Sequence, residues 1–352
     1  MNTQSEAYIV GCLLGTAVGD ALGLPYEGLS PQRAAVIFPH YNRYHLLPGR
    51  GMVSDDTEHT CMVAQSLIEA REDSALFAKR LSRRLRWWLL GLPAGVGFAT
   101  LRAIGKLWCG VSPAKSGVFS AGNGPAMRSA IVGAYFKDNF ISLRQFTLAS
   151  TRITHSDPKA AWGALAVALA ASMSCTAETI DAEDYYQRLA AMLPVQEASE
   201  FLRLIRLAVT SSQEAQETRE FATSLGLERG VSGYVYHTVP VVIHAWLSSP
   251  DDLRTGLHNI IACGGDADTT GAILGGIIGC RVGKAGIPAE WLDNLWEWPR
   301  SVAWMERLGR QLAEPDVRVA PTLPVPGMIV RNFVFLCIVL LHGFRRILPP
   351  YT

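Results

Sequence analysis

Charged side chains are scarce in this chain. Asp, Glu, Lys and Arg make up 18% of its 352 residues, against roughly 25% in an average domain. Apolar residues hold an ordinary 49%. Few charges with normal apolar content predict a compact body around a large core. The 32 basic and 31 acidic residues nearly cancel, leaving a net charge of +1. No overall field therefore draws the chain to nucleic acid or to an anionic membrane. Cysteines are sparse too. The seven, at 12, 61, 109, 175, 263, 280 and 337, are odd in number and form no CxxC or Cys/His spacing. That argues against a disulfide framework or a zinc site and favours a reduced, cytoplasmic setting. The opening MNTQSEAYIV has no basic stretch leading into a long apolar core, so a signal peptide is not expected. Strand-like alternation is rare and no long unit repeats, which disfavours β-rich folds and solenoids.

What remains reads as one all-α domain. Helices are expected at 8–22, 58–71, 75–90, 126–136, 143–151, 159–172, 182–192, 197–212, 235–246, 251–261 and 271–279, with loops at 39–50, 111–125 and 226–233. Two of the helices carry glycine stripes. Gly11, Gly15 and Gly19 recur at every fourth position, and Gly271, Gly275, Gly276 and Gly279 keep a similar rhythm. Glycine in a helix costs up to ~1 kcal/mol each. Its repeated use implies a close approach: a tight central helix pair with acidic residues at its mouth. The run 79–88 is basic. It is read as a solvated helix face with a tryptophan packed beneath, rather than as a site for phosphate or nucleic acid.

Two acidic clusters carry the chemistry. One is Ser54-Asp55-Asp56-Thr57. The other, far downstream, is Gly264-Gly265-Asp266-Ala267-Asp268-Thr269-Thr270. Each sets two carboxylates beside hydroxyls, ahead of an apolar helix. Ser, Thr and Asp are preferred helix caps, and acids in a first turn suit the helix dipole. Either cluster alone therefore reads as a cap. A cap needs few acceptors, however. Hard divalent cations take several oxygen ligands, anionic ones among them, and four carboxylates balance two such ions. Capping and a two-metal site both fit the residue chemistry.

Three further segments complete a pattern. The first helix runs out through Gly19-Asp20-Ala21-Leu22-Gly23-Leu24-Pro25-Tyr26-Glu27. Gly122-Asn123-Gly124-Pro125-Ala126-Met127-Arg128 is a glycine-rich turn whose free N–H groups suit a phosphate. Thr154-His155-Ser156-Asp157-Pro158 is a polar turn before an apolar helix. In this order, GDALGxxxE, SDDT, GNGPAMR, THSDP and GGDADTT resemble the ADP-ribosylglycohydrolase family over roughly residues 7–285. The resemblance implies a single compact all-α domain with a dinuclear magnesium centre, manganese being the alternative. It implies removal of ADP-ribose from modified side chains or related conjugates. It also implies Ser54, Asp55 and Asp56 as one set of metal ligands, and Asp266, Asp268 and Thr269 as the other. Glu27 matches a glutamate that reaches the substrate or the attacking water, and the catalytic base is sought among Glu27, Asp55 and Asp56. Ser120, Ala121, Gly122 and Asn123 match the loop lining the ADP-ribose phosphates and ribose. Phe119 is a candidate to stack on adenine, and His155 matches a histidine contacting the distal part of the ligand. Ser54 stands where many members carry Thr; both supply a hydroxyl oxygen.

The reaction so implied is hydrolysis of the glycosidic bond at the distal ribose, which develops oxocarbenium character. Arginine-linked ADP-ribose on a protein is the favoured substrate. Serine-linked or nucleic-acid-linked conjugates, or immunity against an ADP-ribosylating toxin, are the alternatives. A phosphohydrolase fits less well, since neither acidic cluster carries His ligands or a Lys/Arg clamp. The expected partner is an ADP-ribosylated protein or conjugate, with no nucleic-acid binding, and the chain is expected to be a cytoplasmic monomer. The catalytic domain is set at 1–314 and a Pro-rich stretch with an apolar tail at 315–352. The unbroken apolar part of the tail, 333–341, is nine residues, whereas a spanning helix needs about 20. The tail is therefore expected to dock on the body rather than to anchor in a membrane.

Overall fold

The computed structural model describes residues 3–346. Among these, helices build the body, and extended segments meet only as isolated bridges. Ten helices frame the acidic cleft and its supports: α1 (Thr3–Gly23), α2 (Asp55–Ala70), α3 (Ser74–Leu90), α4 (Phe98–Trp108), α5 (Phe140–Thr154), α6 (Pro158–Thr176), α7 (Val235–Ser248), α8 (Ala267–Val282), α9 (Val302–Ala313) and α10 (Val325–Arg345).

The two glycine-striped helices, α1 and α8, lie backbone against backbone. A Cβ on Gly11 would sit 2.1 Å from the Gly279 carbonyl oxygen, one on Gly15 2.1 Å from that of Gly275, and one on Gly19 2.0 Å from that of Gly271. The pairing runs down one chain and up the other, so the helices are antiparallel. The C-terminal end of α1 therefore meets the N-terminal end of α8, where a Cβ on Gly23 would lie 2.2 Å from Ala267 O. Around this pair pack α2, α6, α7 and α9. Alanine-rich α6 is buried along nearly its whole length. Helix α9 comes close through Gly309, whose added Cβ would lie 2.7 Å from Val10 Cγ2.

Several elements depart from the sequence reading. The helix expected at 126–136 is two short pieces, Gly124–Met127 and Ala130–Tyr135. At the break Arg128 is fully buried, donating to Ser150 and Thr154 rather than lying along a helix face. Helices α4 and α9 are absent from the sequence reading. For α9 the signals exist: Ser301 Oγ caps it by accepting the Trp304 N–H at 3.2 Å, and Trp304, Met305, Leu308 and Leu312 share its buried face. The basic run behaves as read. Arg80, Arg83 and Arg84 gather on Glu69, and Trp88 is buried below them.

The tail helix α10 starts at Val325, and residues 347–352 lie outside the described part. Both 4–26 and α10 are long and apolar enough to cross a membrane by length and composition, so the judgement that the tail is too short does not hold. The first of these is the core helix. Helix α10 docks by one face, burying Arg331, Asn332 and Phe335, while Ile329, Val330, Phe333, Leu341 and Phe344 stay exposed on the other.

The glycine contact makes a direct prediction. Gly15→Ala forces a methyl group into the Gly275 peptide and should lower unfolding free energy by about 3 kcal/mol or more, beyond ordinary overpacking. Gly105→Ala meets nothing within 4 Å and should be neutral or stabilising by up to ~1 kcal/mol. Urea unfolding of both variants, followed by circular dichroism, checks the contrast.

Candidate functional site

The site begins with a buried acid on the last turn of α1. Asp20 is fully buried, and its two carboxylate oxygens each accept the Ser54 N–H at 3.0 Å. It also accepts the Thr57 N–H at 3.1 Å and the Thr57 hydroxyl at 2.5 Å. One side chain on α1 thus pins the N-terminus of α2. Burial pushes Asp20 up to about 6, while these hydrogen bonds pull it back down.

Ser54 does cap α2, accepting the Asp56 N–H at 3.3 Å. The cluster does more than cap. Ser54 Oγ donates to Asp56 Oδ2 at 3.0 Å, and Thr269 Oγ1 donates to the same oxygen at 3.2 Å. The two acidic clusters, distant in sequence, therefore meet at one carboxylate. The other oxygen of Asp56, Oδ1, is buried without a hydrogen-bond partner. Asp268 is buried and accepts the Thr269 N–H at 2.9 Å. Asp55 and Asp266 are half-buried. Burial first, and then repulsion among neighbouring carboxylates, holds Asp55, Asp56 and Asp268 well above the usual carboxylate range. The N-termini of α2 and α8 both start at these acids, so both helix dipoles present their positive ends to them.

Glu27 follows a one-turn 3-10 helix, Leu24–Tyr26. Its loop is tied to the second cluster by a backbone pair: Gly28 N–H donates to Gly265 O and Gly265 N–H to Leu29 O, each at 2.7 Å. Gly265 has φ +79°, and a Cβ there would lie 2.0 Å from Val231 O. This crossing of three chain segments admits glycine alone. The Glu27 residue is exposed to solvent, yet desolvation and the nearby Asp266 raise its pKa, against the opposing charge of Arg346.

The glycine-rich turn closes the other side. Asn123 Nδ2 donates to Asp266 Oδ2 at 2.6 Å and to Thr238 Oγ1 at 3.0 Å. Its backbone N–H donates to Gly233 O at 2.9 Å. The His155 ring packs against this turn. A Cβ on Gly122 would lie 3.1 Å from His155 Nε2, and one on Gly124 3.1 Å from Cε1. His155 is buried, with Nδ1 2.9 Å from Thr154 Oγ1. Burial, followed by the Arg128 guanidinium, brings it down to about 3, so it is neutral at physiological pH. Ser120 and Ala121 are both half-buried, and Phe119 just before them is 82% exposed.

The two acidic clusters, the loop of Glu27, the 120–123 turn and His155 are thus linked in one region, whereas Phe119 stands exposed beside it. The charged layer beneath them was missed. Asp20 lies inside the quoted motif, yet its role as a brace for α2 was not read from it. Glu58, next after Ser54–Thr57, is fully buried against Trp88, Arg300 and Arg331. Glu297 binds the Val53 N–H at 3.2 Å. Only the tertiary fold brings these last residues to the site. As a donor set, four carboxylates with the hydroxyls of Ser54 and Thr269 fit a pair of hard divalent cations, and the orphaned Asp56 Oδ1 supplies a buried anionic oxygen in want of one.

Comparison with known proteins finds relatives over most of the chain. The family model described as ADP-ribosylglycohydrolase matches residues 1–320. The ADP-ribosyl-[dinitrogen reductase] glycohydrolase of Rhodospirillum rubrum is 26% identical over 293 residues, covering 81% of this chain and 89% of that protein. The ADP-ribosylarginine hydrolase Tri1 of Serratia proteamaculans is 25% identical, covering 87% of this chain and 80% of its own length. A solved structure described as an ADP-ribosylglycohydrolase-related protein complex superposes with a TM-score of 0.64 at 26% identity, covering 89% of this chain and 99% of its own.

The brace on α2 can be tested apart from the clusters it supports. Asp20→Asn keeps the shape but leaves one carboxamide oxygen to serve donors that two carboxylate oxygens now share. It should lower stability by about 1–3 kcal/mol, the cost of weakening hydrogen bonds to a buried charged group. Thermal melting of the variant beside the parent chain measures it.

Proposed function

This chain belongs to the ADP-ribosylglycohydrolase family, and from that premise we propose that it removes ADP-ribose from arginine side chains of cytoplasmic proteins, by divalent-metal-dependent hydrolysis of the bond at the distal ribose. The family and the named relatives support an ADP-ribosyl hydrolase acting on ADP-ribosylated substrates. The arginine linkage is favoured by the similarity to a protein named an ADP-ribosylarginine hydrolase. The metal requirement rests on one observation: two clusters meeting at Asp56, whose second oxygen is buried and unpartnered.

Ser54, Asp55, Asp56, Asp266, Asp268 and Thr269 would hold two Mg²⁺ ions, or Mn²⁺ in their place. When bound, the ions supply fixed positive charge for the ribose diol and for an attacking water. The chain's own residues do the rest. Asn123 holds the Asp266 carboxylate in one orientation. Neutral His155 and the 120–123 turn offer neutral hydrogen-bonding groups, rather than charge, to the ligand. Glu27 sits on a loop locked to Gly265, beside Asp266 but outside both clusters. Its raised affinity for a proton suits it to accept one from water at the reacting carbon. Holding sugar and water in one geometry supplies the proximity part of the rate.

The decisive experiment is a panel of arginine-, serine- and nucleic-acid-linked ADP-ribose conjugates incubated with the chain and Mg²⁺. Free ADP-ribose should appear, fastest from the arginine linkage. Release of AMP or phosphate would point to a phosphohydrolase instead. Asp56→Ala and Asp268→Ala should each abolish release while leaving the circular dichroism spectrum unchanged, because the core is built on the α1–α8 contact. Glu27→Gln should lower kcat by ~10²-fold or more, the usual size of a general acid–base term, with a smaller change in ADP-ribose affinity. Calorimetry should find ADP-ribose binding much weakened after EDTA treatment.

A further inference from the structure

The matched family region stops at residue 320, yet a residue beyond it reaches the segment that carries the first acidic cluster. Arg331 on α10 is 4% exposed. Its Nη2 donates to Val53 O at 2.5 Å and to Glu297 Oε2 at 2.9 Å, and its Nε donates to Glu297 Oε1 at 2.7 Å. Its Nη1 lies 3.3 Å from Glu58 Oε1. Glu297 Oε2 in turn accepts the Val53 N–H at 3.2 Å. The next N–H, that of Ser54, belongs to Asp20. Every polar backbone group between Val53 N and Ser54 N is thus held by a charged side chain from a remote segment. Asn332, the neighbour of Arg331, donates to Gly91 O at 2.8 Å and fixes α10 at the end of α3.

Stability alone is a poor reason for such an arrangement. Buried ion pairs often add little over well-packed apolar residues, because desolvation offsets their attraction. What a hydrocarbon cannot do is fix the orientation of a peptide. Arg331 spans a carbonyl and both oxygens of a carboxylate, which only a planar fork of donors can do. The peptide it fixes leads directly into Ser54, Asp55 and Asp56.

We propose that Arg331 is a positioning residue for this cluster: through Val53 O, and through Glu297 to Val53 N, the C-terminal helix sets the three oxygen donors for divalent-metal binding. The inference rests on reading the clusters as a metal site. It makes α10 part of that site although it lies outside the matched family region.

The test is calorimetric titration of Mg²⁺ into the full chain and its variants, with melting temperature recorded for each. Arg331→Met should weaken Mg²⁺ binding by about 10-fold or more, the usual effect of losing a partner behind the ligands. Arg331→Lys keeps the charge but not the fork and should fall between. Arg331→Met/Glu297→Gln removes the stranded carboxylate charge. It should melt closer to the parent yet still bind Mg²⁺ weakly, which a merely structural role would not produce. Phe333→Ser, on the exposed face of the same helix, should leave both readings unchanged. Parental Mg²⁺ affinity in the double variant, or in Arg331→Met, overturns the proposal and leaves the metal site standing. If Arg331→Met does not fold, the double variant and Arg331→Lys decide by the same criterion. If the parent chain itself takes up no Mg²⁺ or Mn²⁺, the metal reading fails, and this inference with it.

Discussion

The backbone contact between α1 and α8 is the constraint on which the rest of the molecule depends. Three glycines on each helix let the chains approach until a single methyl group would collide with a carbonyl oxygen. Close approach fixes register as well as distance, because a one-residue slip would bring side chains, in place of glycines, against the facing carbonyls. Antiparallel register then dictates the chemistry. It lays the end of α1, with Asp20 and the loop to Glu27, against the start of α8, with Asp266 and Asp268. A shift of one turn, about 5.4 Å, would separate Glu27 from the second cluster.

From that seam the site is assembled by polar attachments rather than by further packing. Asp20 reaches out of α1 to hold the start of α2. Thr269 reaches out of α8 to the same helix through Asp56. Asn123 ties the glycine-rich turn to Asp266. The result concentrates negative charge at the mouth of the α1–α8 pair. Burial and mutual repulsion make the ionised forms of Asp55, Asp56 and Asp268 costly in the absence of a counter-charge. Helix dipoles offset part of that cost; divalent cations are suited to offset the remainder.

Beneath this acidic cleft lies a second polar layer of a different kind. Glu58, Glu297, Arg300 and Arg331 are buried and paired with one another. Their two negative and two positive charges cancel, so the layer adds no net charge beneath the cleft. Its effect is geometric, holding the Val53–Ser54 peptide from below. The tail helix that supplies Arg331 keeps an apolar outer face, so one element combines a charged anchor within the body and an exposed hydrocarbon surface.

The sequence by itself determined a good deal. Low charge and ordinary apolar content pointed to a large core, glycine at every fourth position pointed to a close helix pair, and the acidic pairs beside hydroxyls pointed to a cleft of oxygen donors. These are local signals, since spacing and residue type along one helix or turn carry them. Only the tertiary structure decided the partners. Nothing in SDDT says that Asp20 holds its first N–H groups, and nothing near residue 53 points to an arginine at 331. Likewise, the break at Arg128 follows from hydrogen-bond acceptors on α5, outside any local window. The apolar tail looked too short by its unbroken run, but a buried arginine can sit inside a longer helix once Glu58 and Glu297 are there to receive it. Propensity and periodicity act between neighbours in sequence. Charge pairing acts between neighbours in space, and those are known only once the chain has folded.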